Sequence, residues 1–313
     1  MNICIIGGTG FVGTHLINSL VSKGHSVKAI TRRPERHRHL KTLPGVKLLS
    51  IDFFGSKVLE RQIDTYDVVI NLAGILNPEG KNGFNCVHVE VARRVAEATR
   101  SVGTPRLLHM SALNADENAP SEYLRTKGKA QKMVLAIEGL NVTTFSPSVI
   151  FGEGDSFFNR FAQLLSIMPG FFPLTCAQAR FAPIYIGDVV DAMINSIDNP
   201  QTYGKNYELC GPESFSLHEL VQYTASQTGS DCTIVPLNRF LSKPLAALMG
   251  LFPGAPITLD NYRSMTVDSV CAGPIASELG IELHGIDSVV PQYLAGHDFT
   301  GQMALLRSKA NRN

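Results

Sequence analysis

The chain opens with NICIIGGTGFVG, residues 2–13, and this stretch decides the fold. The run at residues 2–6 is almost wholly apolar, which is typical of a buried parallel strand. Apolar side chains then recur at helical spacing from Phe11 to Leu20, and no helix-breaking residue follows Gly13. The spaced glycines therefore lie where a strand turns into a helix. Glycines there allow a tight turn and bring backbone N–H groups and the positive end of a helix close to a pyrophosphate.

The composition is that of an ordinary globular protein and excludes several classes. The 313 residues are 44% hydrophobic and 18% charged, with a formal net charge of +1, so we expect no nucleic-acid partner. The six cysteines contain no Cys-x-x-Cys pair, so we expect no metal and reduced, mostly buried thiols. No apolar run reaches the roughly 20 residues of a transmembrane helix. Because a strand begins at Asn2, we expect no leader and a cytoplasmic protein.

Strand and helix patterns alternate through the first half of the chain. We predict strands at residues 2–6, 27–31, 46–51, 68–72, 106–110 and 142–146, and the clearest helices at 87–102 and 121–138. This alternation predicts an α/β fold, with a Rossmann-type doubly wound parallel sheet. Shorter elements then predict a smaller C-terminal substrate-side domain. The expected bounds are 1–152 for the dinucleotide-binding domain and 153–313 for the other, with residues 181–200 returning to the sheet.

The end of the second predicted strand indicates which dinucleotide fits. Many dinucleotide-binding folds place an acid here to hold the ribose hydroxyls of NAD, but this strand is followed by Arg32 and Arg33. Two guanidinium groups about 20 residues after the glycines suit a 2′-phosphate. We therefore expect NADP(H) in preference to NAD(H). Arg36, Arg38 and Lys41 are interpreted as an ordinary solvated basic loop.

The spacing Gly-x-x-Gly-x-x-Gly resembles that of the short-chain dehydrogenase/reductase family, in its extended and atypical branches. Asp52 and Phe53 follow the third strand, where this family places an Asp beside the adenine, and residues 71–74 (Asn-Leu-Ala-Gly) resemble its Asn-x-Ala-Gly. Residues 123–127 resemble its Tyr-x-x-x-Lys, and residues 146–152 resemble a segment near the nicotinamide. The resemblance implies that the dinucleotide is bound by Gly7, Thr9, Gly10, Phe11, Val12, Gly13, Arg32, Arg33, Asp52, Phe53, Leu72, Ala73, Gly74, Met110, Tyr123, Lys127, Pro147 and Val149.

The resemblance also implies a catalytic pair, Tyr123 and Lys127. Four residues apart on a helix, the two side chains share a face, and a lysine cation favours tyrosinate and lowers the phenol pKa. Tyr123 would then exchange the proton that accompanies hydride transfer. The family has Ser or Thr at the second position after the fifth strand, where this chain has Ala112. Ser111, at the first position, is the expected oxygen ligand, with Asn114 as the alternative.

Residues 87–89, 109–115 and 121–127 resemble the branch that contains NADPH-binding accessory subunits of respiratory complex I and their bacterial relatives. In this comparison His88 stands where extended members usually show Asn. Two functions follow, and both stay open. One is an NADP(H)-dependent oxidoreductase or epimerase-like enzyme that acts on a carbonyl or alcohol. The other is a non-catalytic module whose bound NADPH stabilises the fold or reports redox state to a protein partner.

Two apolar segments, residues 157–172 and 241–252, bear on the substrate and partners. They are interpreted either as core or the surface of a homodimer, or as a pocket for a lipophilic substrate. The substrate is otherwise an unknown small molecule. A membrane surface also stays open as a partner.

Overall fold

The computed structural model describes residues 1–51, 58–78, 83–168, 170–238, 242–243 and 258–294. The chain forms two compact units. The first consists of Met1–Pro147, Ile186–Leu209 and Cys271–Glu282, and the second of the described parts of Ser148–Tyr185, Cys210–Val270 and Leu283–Asn313. The first unit thus breaks at Pro147 rather than at the expected residue 152. Two segments return to it, Ile186–Leu209 and Cys271–Glu282, where residues 181–200 were expected. The first extends to Leu209 because it ends in a strand that the sequence pattern did not indicate.

In chain order the strands are β1 (Asn2–Ile6), β2 (Ser26–Ile30), β3 (Val46–Leu49), β4 (Val68–Asn71), β5 (Arg106–Met110), β6 (Asn141–Pro147), β7 (Ile150–Phe151), β8 (Phe171–Leu174), β9 (Arg180–Phe181), β10 (Ile184–Tyr185), β11 (Lys205–Leu209), β12 (Phe215–Ser216) and β13 (Thr233–Pro236). The α-helices are α1 (Phe11–Ser22), α2 (Val58–Ile63), α3 (Val91–Ser101), α4 (Glu122–Leu135), α5 (Phe158–Ile167), α6 (Ile186–Asn195), α7 (Leu217–Thr228), α8 (Leu259–Ser264) and α9 (Ile286–Leu294). A π-helical turn, Asn85–Glu90, precedes α3. Short 3₁₀ turns lie at Pro34–Arg36, Arg38–Thr42, Pro200–Thr202 and Ser277–Leu279.

The first unit is built on a seven-stranded parallel sheet in the order β11-β6-β5-β4-β1-β2-β3. This order confirms the prediction of a Rossmann-type α/β fold. Strands β1 and β4 are neighbours, so the chain reverses its direction of progress across the sheet beside β1. Ligands of open parallel sheets bind at the carboxyl ends of the strands beside such a reversal.

Amphipathic helices cover the sheet because their apolar side chains recur on one face. Helix α3 shows the pattern: Val91, Val95 and Ala98 are buried, whereas the side chains of Arg93 and Glu97 face solvent. Its buried face joins one core cluster with residues from α2, α4 and strands β1, β4, β5 and β6. The helices therefore fix the loops at the carboxyl edge of the sheet.

The second unit has its own core, formed by α5, α7 and α9 with short two-stranded pairings β7/β10, β9/β12 and β8/β13. Most apolar side chains of residues 157–172 pack into this core, which supports the core interpretation of that segment. Ile167 and Phe171 are the exceptions, at 68% and 65% exposed. The segment 241–252 lies outside the described residues except for Ser242 and Lys243.

The cysteines correct one expectation. Cys210 and Cys271 are disulfide-bonded, so the prediction of six reduced thiols is wrong for these two. Such pairing depends on distances in the folded chain, which sequence spacing does not give. Cys4, Cys86, Cys176 and Cys232 are thiols, and of these only Cys4 is fully buried. Across the described residues no helix is long and apolar enough to cross a membrane, and no cluster of His, Cys, Asp and Glu has the arrangement of a metal site.

Candidate functional site

In the glycine-rich turn between β1 and α1, the backbone lies very close to the loop after β4 and to the start of the helix. Gly7 has φ +77°, and a Cβ there would lie 3.0 Å from the backbone N of Ala73. A Cβ on Gly13 would lie 2.5 Å from the carbonyl carbon of Gly8. Helix α1 begins after Gly10 with no side-chain cap and no acid in its first turn. Its N-terminus therefore suits an anion.

A cavity of about 370 Å³ opens beside this turn at the carboxyl edge of the sheet. Its lining residues are Ile6, Gly7, Thr9, Gly10, Ile30, Thr31, Arg32, Arg33, Arg36, His37, Leu72, Ala73, Gly74, Cys86, Val87 and Val91. Eight of these were predicted from the sequence: Gly7, Thr9, Gly10, Arg32, Arg33, Leu72, Ala73 and Gly74. Phe11, Val12 and Gly13 form the first turn of α1 rather than the cavity wall. The cavity thus joins the ends of β1, β2 and β4, where a dinucleotide fits this fold.

One end of the cavity is basic. Arg32 and Arg33 line it as predicted, and Arg36 and His37 line it as well. Arg36, interpreted from the sequence as part of a solvated loop, is exposed and also lines the cavity from the short turn Pro34–Arg36 that follows β2. No Asp or Glu lies among the described residues of this lining. Asp52 and Phe53, predicted beside the adenine, lie outside the described residues.

Asn71 explains why the Asn-x-Ala-Gly sequence follows β4. Its side chain is 1% exposed, and its Oδ1 accepts a hydrogen bond from Ala73 N at 3.1 Å. Because Oδ1 faces Ala73 N, the amide nitrogen Nδ2 faces His109 and donates a hydrogen bond to its Nδ1 at 3.1 Å. This side chain fixes the loop 72–74 against the neighbouring strand β5. The backbone of the cavity wall is therefore held before any ligand arrives.

Lys127 lies behind the same loop. Helix α4 is capped by Ser121, whose Oγ accepts from Leu124 N at 3.2 Å, so Tyr123 and Lys127 fall on one helical face as predicted. Lys127 is 5% exposed, and its Nζ donates to the carbonyl of Met110 at 3.0 Å. Burial lowers the pKa of this ammonium group to about 8.

The phenol of Tyr123 does not have the predicted lowered pKa. Burial raises its pKa to about 12, because loss of hydration disfavours tyrosinate. The ammonium group that was expected to oppose this effect is hydrogen-bonded to Met110 instead. The ring of Tyr123 packs edge-on against Phe84 and His88, at centroid distances of 6.0 and 5.5 Å. In this structure Tyr123 is a neutral phenol at neutral pH.

Ser111 stands directly after β5, at the predicted position. It is 4% exposed, and its Oγ has no hydrogen-bond partner among the described residues. Asn114, the alternative oxygen ligand, adopts a left-handed backbone conformation with φ +60°, which indicates a turn role. Pro147 ends β6, where its carbonyl accepts from Leu113 N at 2.9 Å. Val149 belongs to the second unit, where its carbonyl accepts a hydrogen bond from Ile184 N.

Residues 3–210 match the NAD dependent epimerase/dehydratase family. The chain belongs to this family. The match spans the glycine turn, the cavity lining, Ser111 and helix α4. Membership of this epimerase/dehydratase family explains why the cavity has the form of a dinucleotide site.

The relatives that sequence comparison finds include mitochondrial subunits of NADH-ubiquinone oxidoreductase or NADH dehydrogenase and a reductase. The chain is 26% identical to the mitochondrial NADH-ubiquinone oxidoreductase 40 kDa subunit of Neurospora crassa, covering 94% of this chain and 78% of the relative. It is 28% identical to NADH dehydrogenase [ubiquinone] 1 alpha subcomplex subunit 9 of Rattus norvegicus, covering 89% and 75%. It is 29% identical to ceramide reductase of Caulobacter vibrioides over 61% of this chain and 59% of the relative.

Solved structures support the fold alone. MoeE5 in complex with UDP-glucuronic acid and NAD has a TM-score of 0.70 at 19% identity, covering 94% of this chain and 97% of that one. UDP-glucuronic acid 4-epimerase from Bacillus cereus has a TM-score of 0.68 at 18% identity, covering 97% and 100%. Both share the epimerase/dehydratase architecture with this chain.

Proposed function

We propose that this chain is an NADP(H)-dependent reductase that donates a proton to a carbonyl group through Tyr123. The observation that carries the proposal is the basic end of the dinucleotide cavity, lined by Arg32, Arg33, Arg36 and His37 with no acid among the described lining residues. Guanidinium groups pair with phosphate oxygens through two parallel hydrogen bonds. A carboxylate would repel a 2′-phosphate and favour NAD(H), and none lies among the described residues of this lining.

The protonated state of Tyr123 suits the reduction of a carbonyl group. A phenol with a pKa of about 12 keeps its proton at neutral pH and can donate it to a carbonyl oxygen. Lys127, whose Nζ donates to the carbonyl of Met110, holds positive charge near that oxygen below a pH of about 8. The Oγ of Ser111 would orient the same oxygen. The dinucleotide, when bound, supplies the hydride.

Affinity for the two dinucleotides tests the basic end of the cavity. We expect NADPH to bind more tightly than NADH. Arg32→Ala, Arg33→Ala and Arg36→Ala should each weaken NADPH binding by about 1.5–3 kcal/mol, the range of a charged hydrogen bond, and leave the affinity for NADH nearly unchanged. Arg38→Ala is the matched control, because Arg38 is exposed on the same loop and does not line the cavity. Equal affinity of the wild type for both dinucleotides would contradict the proposed preference.

The rate of NADPH-dependent carbonyl reduction tests the proposed role of Tyr123 as the proton donor. A screen of carbonyl compounds with NADPH should begin with lipophilic ketones, since one relative is named ceramide reductase. In Tyr123→Phe we expect kcat to fall by about 10²–10⁴-fold, the usual contribution of a general acid, with the affinity for NADPH nearly retained. Hydride transfer that survives undiminished in Tyr123→Phe would remove the role we assign to the phenol.

A non-catalytic NADPH-binding module is the second candidate. It is favoured by Ala112, which is 7% exposed and cannot hydrogen-bond a substrate where the family has Ser or Thr. It is also favoured by the two relatives that are named as subunits of NADH dehydrogenases. This candidate predicts that NADPH co-purifies, exchanges slowly and is not oxidised by any carbonyl compound in the screen.

A further inference from the structure

His88 is buried between two elements of the candidate site and hydrogen-bonds to both. Its side chain is 1% exposed. Its Nδ1 lies 2.9 Å from Thr126 Oγ1, and its Nε2 lies 3.1 Å from Ile75 N. Thr126 stands on α4 directly before Lys127, whereas Ile75 directly follows the loop 72–74 that lines the cavity. One imidazole thus bridges the cavity wall and the helix of the proposed acid.

Nε2 of this ring faces both the N–H and the carbonyl oxygen of Ile75, each at 3.1 Å. With the ring proton on Nδ1, Nε2 accepts from Ile75 N and Nδ1 donates to Thr126 Oγ1; with the proton on Nε2, Nε2 donates to Ile75 O and Nδ1 accepts from Thr126 Oγ1. In either tautomer the neutral ring hydrogen-bonds to both Ile75 and Thr126. Burial first, and the charge of Lys127 second, lower the imidazole pKa to about 3, so the neutral ring persists.

The side chains around His88 are closely packed. The ring of His88 lies 5.4 Å from that of Phe84 and 5.5 Å from that of Tyr123, between centroids. A Cβ on Gly74 would come within 3.1 Å of Lys127 Nζ and 3.9 Å of His88 Nε2. A shift of the loop 72–74 must therefore displace the imidazole, the lysine or both.

We propose that His88 is a positioning residue that couples the dinucleotide loop after β4 to the helix carrying Tyr123 and Lys127. The inference rests on the proposed function, because the ligand that moves the loop is the dinucleotide. His88 touches neither hydride nor substrate in this scheme. It acts through its hydrogen bonds to Thr126 and Ile75. A dinucleotide bound to the loop 72–74 therefore holds α4 in the conformation that directs the phenol of Tyr123 towards the substrate.

Amide hydrogen exchange of the full chain, with and without NADPH, measures this coupling without requiring turnover. We expect NADPH to slow exchange both in the glycine turn 7–13 and along α4 of the wild type. His88→Phe keeps the aromatic packing and removes both hydrogen bonds. Thr126→Val removes one end of the bridge while His88 stays intact. In both variants the protection of α4 should be lost, and that of the glycine turn should remain.

Two further variants sharpen the test. His88→Gln places an amide group near the position of Nε2, which can accept from Ile75 N or donate to Ile75 O, and should restore part of the α4 protection. Thr99→Val is the matched control, since Thr99 is also buried and also bonds to the carbonyl four residues earlier, on α3. It should leave the α4 response as in the wild type. An equal loss in Thr99→Val would mean that any buried helical threonine has this effect, which overturns the proposal.

Turnover gives the second readout. If the chain is the proposed reductase, His88→Phe and Thr126→Val should each lower kcat about 10–100-fold with KM for NADPH little changed, since misplacement by about 1 Å has that cost. The double variant should lose no more than either single one, because both remove the same bridge.

The outcomes separate the two proposals. Protection of the glycine turn but not of α4 in the wild type would overturn the coupling and keep the dinucleotide site. Full α4 protection and unchanged kcat in His88→Phe and Thr126→Val would overturn the role of His88 alone. No protection anywhere with NADPH would overturn the proposed function and, with it, the coupling.

Discussion

Gly13 sets how closely helix α1 approaches the turn that precedes it. Its Cα faces the backbone of Gly8, and an added Cβ would lie 2.5 Å from both the carbonyl carbon and the oxygen. Backbone atoms cannot rotate away as a flexible side chain can. The whole helix N-terminus must therefore shift if this position carries any side chain.

We predict that Gly13→Ala lowers the free energy of unfolding by about 1–3 kcal/mol, the range for overpacking a close contact, and weakens NADPH binding more strongly. Chemical denaturation and titration calorimetry measure the two effects. Gly273→Ala is the control, because nothing lies within 4 Å of its Cβ position and its φ is not in the left-handed region. Wild-type affinity in Gly13→Ala would contradict our account of the glycine turn.

At the scale of elements, Arg106 ties three parts of the first unit together at the edge of the sheet opposite the cavity. The residue opens β5 and is 3% exposed. Its guanidinium donates to Ile197 O, Ser196 O, Asn141 O, Thr143 Oγ1 and Thr202 Oγ1, and it lies 4.5 Å from the centre of the Tyr203 ring. The guanidinium of Arg106 thus joins β5, β6 and the residues that follow α6 through hydrogen bonds. Burial lowers its pKa to about 10, which still leaves it charged at neutral pH.

Replacing Arg106 by Met should keep most of the packing and leave these buried acceptors without a donor. We expect a loss of about 3–5 kcal/mol in the free energy of unfolding, as for other broken buried networks of charged hydrogen bonds. Urea denaturation measures it, with Arg100→Met on the exposed face of α3 as the control. NADPH affinity of the folded variant should stay near the wild type. A loss under about 1 kcal/mol would show that the network contributes little.

The elements that the sequence predicted well are those with a local signal. The glycine turn, the periodicity of α3 and the Tyr123–Lys127 spacing are all properties of neighbouring residues. The contributions of Arg36 and His37 to the cavity depend on where the turn after β2 lies in the folded chain, and β11 joins the sheet through pairing with β6. The raised pKa of Tyr123 depends on burial by distant segments. The hydrogen bonds of His88 likewise join residues 13 and 38 positions away in the chain.

At the scale of the whole molecule, the described residues that we predict to bind the dinucleotide belong to the first unit, except Val149. Two buried histidines, His88 and His109, lie in that unit near Lys127, and each has a pKa lowered from 6.5 to about 3, mainly by burial. The native chain therefore binds fewer protons than the unfolded chain between those values. Stability must fall as the pH drops through this window, by up to about 1.4 kcal/mol per pH unit for each histidine.

His109→Asn tests this pH dependence. The asparagine Oδ1 can accept the hydrogen bond that Asn71 Nδ2 donates, and the variant removes one buried titrating group. We predict a shallower decline of stability between pH 6.5 and 3, measured by urea denaturation at stepped pH. His39→Asn, which removes an exposed histidine, should keep the wild-type curve. An unchanged slope in His109→Asn would contradict the assignment of a buried neutral imidazole.

Native mass spectrometry of the purified chain, followed by titration with NADPH and NADH, tests the central claim most directly. Our account predicts one dinucleotide per chain, reversible binding of NADPH and weaker binding of NADH. Binding of NADH in preference to NADPH would contradict the role given to Arg32, Arg33 and Arg36. Binding of neither would contradict the assignment of the glycine turn and its cavity as a dinucleotide site.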